Sequence, residues 1–157
     1  MNGVKYFIMD VDGTLTDGKI YYGNNGESFK AFNIKDGYGI AYILKNADIE
    51  PVIITGRTSD IVEKRCKELG IKKIFQGKMQ KMEVLESILE NDGLDTCAYI
   101  GDDIPDLRCM MLIKAEGGKI GCPSDAIKEI RDIADFVSSN KAGDGAVRDF
   151  IDWICRK

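Results

Sequence analysis

Three short apolar runs, residues 4–9, 52–54 and 97–100, each stop abruptly at a polar cluster, and that repeated edge constrains the fold more than any other feature. The first ends in Asp10-Val11-Asp12-Gly13-Thr14, the second in Thr55-Gly56-Arg57, the third in Gly101-Asp102-Asp103. Runs with almost no polar interruption suit strands buried on both faces of a parallel sheet. Helical spacing fills the intervals. Ile40, Ile43 and Leu44 mark a helix from Asp36; Ile61, Val62, Cys66 and Leu69 mark one capped by Ser59 or Asp60 and closed by Gly70; Met82, Val84, Leu85, Ile88 and Leu89 mark a third. A short strand is expected over residues 73–75, a short helix from Pro105, a helix capped by Ser124 through Ile130, a strand at Phe136 and Val137, and a final helix from Gly145 to Trp153. Strands alternating with helices imply right-handed crossovers and an α/β fold, a doubly wound, mostly parallel sheet with helices on both faces.

In such a sheet the carboxyl ends of the strands lie side by side, so the three polar clusters should meet at one edge. Each cluster alone has an ordinary reading. Asp-x-Asp-Gly occurs in turns and calcium loops, Thr-Gly at strand exits, and Asp-Asp before Pro at helix starts. Three together are a site. If the first strand stays extended, Asp10 and Asp12 share one side, and adjacent carboxylates repel unless a cation or a shared proton relieves them. That placement suggests magnesium-assisted phosphoryl transfer.

Between the first two clusters, residues 19–22 and 28–32 flank Gly23-Asn24-Asn25-Gly26, a hairpin signal because Asn and Gly tolerate positive φ. The hairpin, about residues 19–33, should project beyond the first strand. At 157 residues the chain is expected to form a single domain with a core that needs no disulfides. Its five cysteines are odd in number, scattered and never spaced as Cys-x-x-Cys, which fits a reducing compartment without structural zinc. Net charge −4 and the lack of a long basic run argue against nucleic acid as the main partner. With no basic leader and no stretch of membrane-spanning length, a cytoplasmic protein is expected. The absence of histidine excludes Ser-His-Asp catalysis, His-ligated zinc and imidazole proton shuttling, so acid and base chemistry falls to carboxylates and lysine.

Asp10-Val11-Asp12-Gly13-Thr14, Thr55, Lys81 and Gly101-Asp102-Asp103, in this order, resemble the four motifs of the haloacid dehalogenase superfamily of phosphotransferases over nearly the whole chain. The resemblance implies Asp10 as nucleophile, Asp12 as acid and base, and Mg2+ held by Asp10, the Asp12 backbone carbonyl and Asp102. It also implies that Thr55 and Lys81 hold the transferring phosphoryl group; chemistry alone does not separate Lys81 from Lys78, and the family alignment favours Lys81. Response-regulator receivers use similar parts, but they place the acidic pair first and a lone aspartate two strands later, an order this chain does not have.

The roughly forty residues between Asp12 and Thr55 leave too little chain for a cap domain with its own core. Within the superfamily, Asp17-Gly18, the stretch from Phe32 to Ile40, Thr55-Gly56-Arg57, Gln76-Gly77 and Gly143-x-Gly145-Ala146-Val147-Arg148 resemble the capless phosphatases of 3-deoxy-D-manno-octulosonate 8-phosphate. That resemblance implies a phosphorylated sugar acid as substrate and a homotetramer joined through the hairpins, whose neighbouring subunits close each site. It implies substrate contacts from Asp12, Asn33, Ile34, Lys35, Asp36, Gly37, Thr55, Gly56, Arg57, Arg65, Lys81 and Asp103. Ala41 stands where some of these enzymes carry a substrate-contacting arginine. Close relatives acting on nine-carbon 9-phosphates often have an acidic residue at the position of Arg57, so Arg57 favours the eight-carbon substrate and Ala41 weakens that preference. A non-catalytic subunit that keeps the fold is the alternative outside enzymology.

Overall fold

The structure is a computed structural model that describes residues 3–156. Six parallel strands form its sheet in the order β5-β4-β1-β6-β7-β8, with β1 Tyr6–Met9, β4 Glu50–Ile54, β5 Lys73–Phe75, β6 Cys97–Ile100, β7 Lys119–Cys122 and β8 Phe136–Val137. β2 (Tyr21–Gly23) and β3 (Gly26–Phe29) pair antiparallel as the separate hairpin, with Asn24 and Asn25 at its tip. A bridge between Thr16 and Phe32 closes the hairpin's base.

Each apolar run serves two cores because side chains alternate along a strand. Phe7, Met9, Ile53, Ala98 and Ile100 face one side, where they pack with residues of α2 (Asp60–Glu68) and α6 (Ala146–Cys155). Ile8, Val52, Ile54, Cys97 and Tyr99 face the other, against α3 (Lys81–Leu89), α4 (Ile104–Ala115) and α5 (Lys128–Ile133). Burying each of these large aliphatic or aromatic side chains contributes about 1.5–3 kcal/mol, which is why the runs tolerate so little polarity.

Strand order reverses around β1. The chain lays β4 and then β5 on one side of it and β6, β7 and β8 on the other, so a crevice opens between the ends of β1 and its neighbours. Met9 registers with Ile53 on one side and Ile100 on the other, which places Asp10, Thr55 and Asp102 within a residue or two of one row.

Several elements depart from expectation. β7 was not foreseen, since Lys119 and Gly121 dilute its pattern; a Cβ at Gly121 would lie 2.6 Å from the Phe150 ring, so α6 requires that glycine. The helix from Pro105 is not short: α4 runs 12 residues. Ser124 does not cap a helix; its amide bonds the Asn140 carbonyl, and α5 begins at Lys128 without a side-chain cap. The first helix starts before Asp36, as α1 (Ile34–Tyr38), with the Asn33 side chain accepting from the Lys35 and Asp36 amides, and continues as a π-helical segment over Gly39–Leu44. Ser59 stands at the start of α2, but its hydroxyl turns away from the helix.

Candidate active site

β1 ends at Met9 and the chain turns at once, so Asp10 and Asp12 do not share a strand face as an extended strand would require. They meet different lysines. Asp10, nearly buried, accepts from Lys81 Nζ at 3.0 Å, and Asp12 Oδ1 lies 2.6 Å from Lys30 Nζ. The turn needs Gly13: φ is +81°, and a Cβ there would sit 2.1 Å from an Asp102 carboxylate oxygen.

Lys81 is the first residue of α3, and the fold buries its ammonium between Asp10 and Asp106, whose Oδ1 is 2.8 Å away. Asp106 is fully buried and fully used. Its Oδ1 also accepts from the Tyr99 hydroxyl at 2.7 Å, and its Oδ2 accepts from the Asp102 and Asp103 amides at 3.1 and 3.4 Å. The two attractive carboxylates outweigh the burial that disfavours the Lys81 charge and hold its pKa above the ordinary value.

One carboxylate oxygen from each of Asp10, Asp102 and Asp106 lies within 4.8 Å of the others. Burial, reinforced by neighbouring acidic charge, pushes both Asp10 and Asp102 upward from the usual carboxylate range. Such a pair is unsatisfied electrostatically, and a hard divalent cation would supply the missing charge. Asp10 and Asp102 fit as ligands. Asp106 does not, because both of its oxygens already serve Lys81, Tyr99 and two amides. Thr14, also buried, gives its hydroxyl to Asp102 Oδ1 at 3.2 Å and steadies it.

The expected residues Asp10, Asp12, Thr55, Gly56, Arg57, Lys81, Asp102 and Asp103 line one cleft, together with Asp106 and Met79. Buried Thr55 donates its amide to Phe75 and accepts at its carbonyl from Lys78, which ties the second cluster to the loop that delivers Lys81. Asp103 caps the start of α4 and accepts from the Ile104 amide at 2.7 Å. Arg57 reaches the cleft with 48% of its side chain exposed.

A second group lies elsewhere. Asn33, Asp36, Gly37 and Arg65 line a small apolar cavity with Val11, Phe32 and Ile40 rather than the cleft. Asp36 is buried and accepts from the Arg148 amide at 2.8 Å, while its other oxygen has no partner; burial, only partly offset by amides of Arg148 and Gly145, pushes its pKa up to about 6. Arg65 lies over the Phe32 ring and pairs with Glu68 at 3.2 Å. Lys35 is exposed, and Ile34 projects with 83% of its surface free.

Four residues of the cleft's surroundings escaped the sequence reading. Asp106 follows Asp103 by three, the spacing of a capping box, and that signal was available. Lys30 sits between aromatic neighbours in Phe29-Lys30-Ala31-Phe32, which marked it for burial. Glu27 and Tyr99 carried no local signal.

No family model matches the chain. It is 42% identical over 153 residues to the 3-deoxy-D-manno-octulosonate 8-phosphate phosphatase of Escherichia coli K12, covering 96% of this chain and 79% of that protein. The same enzyme of Moraxella catarrhalis, solved with magnesium, phosphate and the sugar acid KDO, superposes with a TM-score of 0.89 at 39% identity over 98% of this chain and 86% of that one. A haloacid dehalogenase superfamily hydrolase from Legionella pneumophila superposes with a TM-score of 0.90 at 33% identity, covering 98% of this chain and 82% of the other.

Proposed function

Since the chain belongs to the 3-deoxy-D-manno-octulosonate 8-phosphate phosphatases of the haloacid dehalogenase superfamily, we propose that it hydrolyses that eight-carbon sugar acid phosphate with magnesium. The convergence of Asp10, Lys81 and Asp102 at the switch point carries this reading. In it, an Asp10 oxygen attacks phosphorus while the bond from phosphorus to the sugar oxygen breaks, and Asp12 gives that oxygen a proton. Asp12 then takes a proton from water, whose oxygen attacks the aspartyl phosphate and frees Asp10. Lys81 and the Thr55 hydroxyl hold the phosphoryl oxygens on groups whose positions are already set by the fold. Asp10, Asp102 and the Asp12 backbone carbonyl would hold the magnesium, which when bound supplies positive charge against the phosphate.

Arg57 is assigned to the sugar carboxylate, because its guanidinium is the exposed cationic fork at the cleft. A nine-carbon 2-keto-3-deoxy sugar acid 9-phosphate is the second reading, kept alive by Ala41. In this chain Ala41 lines a groove beside Lys5 and Lys45, away from the Asp10 cleft, so a missing arginine there removes no charge from the subunit's own cleft. Comparing kcat/KM for the two substrates with magnesium decides between them: the eight-carbon compound should be preferred, and the opposite order would overturn the assignment. A folded protein that releases no phosphate even from an aryl phosphate would instead be the silent subunit.

The assembly belongs to the same proposal. Tyr22, Phe29, Ile34 and Tyr38 are large, apolar and exposed, 53–83% of each, on the hairpin and α1. A two-stranded hairpin cannot bury such faces alone, which favours a homotetramer joined there, with exposed Ile34 and Lys35 as the part of the Asn33 to Gly37 stretch able to complete sugar recognition at a subunit boundary. Light scattering should give four chains, and Tyr22→Asp with Phe29→Asp should lower that number. All five cysteines are free, four of them buried, in keeping with a cytoplasmic setting. Among the described residues no helix is long and apolar enough to cross a membrane.

A further inference from the structure

We propose that Glu27 and Lys30, on the hairpin, are positioning residues that hold the Asp12 carboxylate and the Arg57 guanidinium in working orientation, a proposal that rests on the acid role of Asp12. The hairpin would then have a duty within its own subunit, separate from any contact between subunits. Lys30 is a buried lysine whose Nζ lies 2.6 Å from Asp12 Oδ1 and 3.0 Å from Glu27 Oε2. Glu27 Oε2 also faces Arg57 Nη2 at 3.5 Å, and Glu27 Oε1 accepts from the Ser59 hydroxyl at 3.0 Å. One ionic chain therefore runs from the proposed general acid, through the hairpin, to the proposed anion-recognising arginine and the start of α2.

The geometry explains why a lysine is buried here at all. An ammonium out of water is costly unless paired, and the hairpin places this one between two carboxylates. Lys30 engages Asp12 at Oδ1 only, and among the described residues Oδ2 has no protein partner, so that oxygen is left to carry the proton into the cleft. A carboxylate pinned through one oxygen has lost its free rotation. General acid catalysis depends on that alignment with the leaving oxygen. A buried pair that merely stabilised the hairpin would slow all substrates alike.

The leaving group separates the two. The kcat/KM ratio reports steps through departure of the alcohol; ethyl phosphate needs a proton from Asp12 at that step, whereas 4-nitrophenyl phosphate leaves as a stable anion, and neither offers Arg57 a carboxylate. Lys30→Met should lower kcat/KM for ethyl phosphate about tenfold more than for 4-nitrophenyl phosphate, less than the roughly hundredfold or more that loss of a general acid itself costs, because the acid is still present. Asp12→Asn should discriminate in the same sense and more strongly, and adding Lys30→Met to it should cost less than about twofold further, since the two act on one event. Lys30→Arg, which keeps the charge, should recover part of the loss. Glu27→Gln leaves the Lys30 to Asp12 contact in place and tests the chain should Lys30→Met fold poorly; its loss should be greatest on the sugar acid phosphate, through Arg57. Equal losses on ethyl and aryl phosphates in Lys30→Met, with Asp12→Asn still discriminating, would overturn the positioning role of Lys30 alone. If Asp12→Asn itself failed to discriminate, the acid role of Asp12 and this proposal would fall together.

Discussion

The two ends of the cleft are held by different kinds of bond. At the phosphate end, Lys81, Asp106 and Tyr99 are buried, and each Asp106 oxygen serves two donors from the ends of β6, the start of α4 and α3. At the other end, Arg57 is half exposed and held by a single 3.5 Å contact with a hairpin glutamate. The difference teaches where discrimination can vary. Groups proposed to handle phosphorus are tied into the sheet and its helices, where a shift costs packing, while the group proposed for the sugar rests on a surface ion pair of small intrinsic worth.

Three substitutions would break or sharpen that contrast, and the largest effect is expected at the sheet. Asp10→Asn should reduce phosphate release by about ten-thousandfold or more while leaving circular dichroism unchanged, because an amide is a poor nucleophile and a poor cation ligand. Wild-type-like turnover would remove Asp10 from its role. Asp106→Asn should come next, with kcat down about a hundredfold, because Lys81 loses one of the two charges that fix it, and with unfolding free energy down about 3 kcal/mol, because a buried ion pair loses a partner. Urea denaturation and steady-state kinetics read the two effects separately. Arg57→Ala should leave stability nearly unchanged and lower kcat/KM on the sugar acid phosphate about thirtyfold more than on an aryl phosphate. Equal losses on both substrates would refute an anion-recognising arginine.

The contrast also explains what could be seen in the chain before folding. β1, β4 and β6 were legible because a strand buried on both faces must be almost wholly apolar, and their polar exits followed from the same constraint. Asp10, Thr55 and Asp102 became a group as soon as parallel strands were assumed, and Lys81 joined them only through the family resemblance. β7 was hidden by Gly121, a residue that makes a poor strand signal and a necessary gap beneath Phe150. Lys30 and Asp106 left local signals, an aromatic flank and a capping-box spacing, but not their roles. Each is explained by partners 18 to 25 residues away, Asp12 in one case and Lys81 in the other, and a charge in sequence shows its sign but not its partner. The switch from α-helix to π-helix at Gly39 left no periodic trace at all.

Asp36 offers the smallest and most diagnostic test, because it is a buried carboxylate like Asp106 but without an equivalent set of donors. Asp106 has four; Asp36 has backbone amides on one side and a buried oxygen with no partner on the other. Burial therefore dominates, and its folded pKa of about 6 lies above the value near 4 expected of an unfolded carboxyl. The sign follows from linkage: the folded state binds this proton more tightly, so the contribution is fully present below the unfolded pKa and is lost as pH rises through the folded one. Wild type should lose about 2 to 3 kcal/mol relative to Asp36→Asn between about pH 4 and pH 6, and the gap should stay constant above that range. The amide removes the charge and gives the orphaned position a donor in place of an unpaired acceptor. Urea melts of both proteins at half-unit pH intervals would measure the difference. Parallel stability curves would mean that Asp36 is already ionised and solvated in the folded protein, and the α1 region would then be as open to water as Arg57.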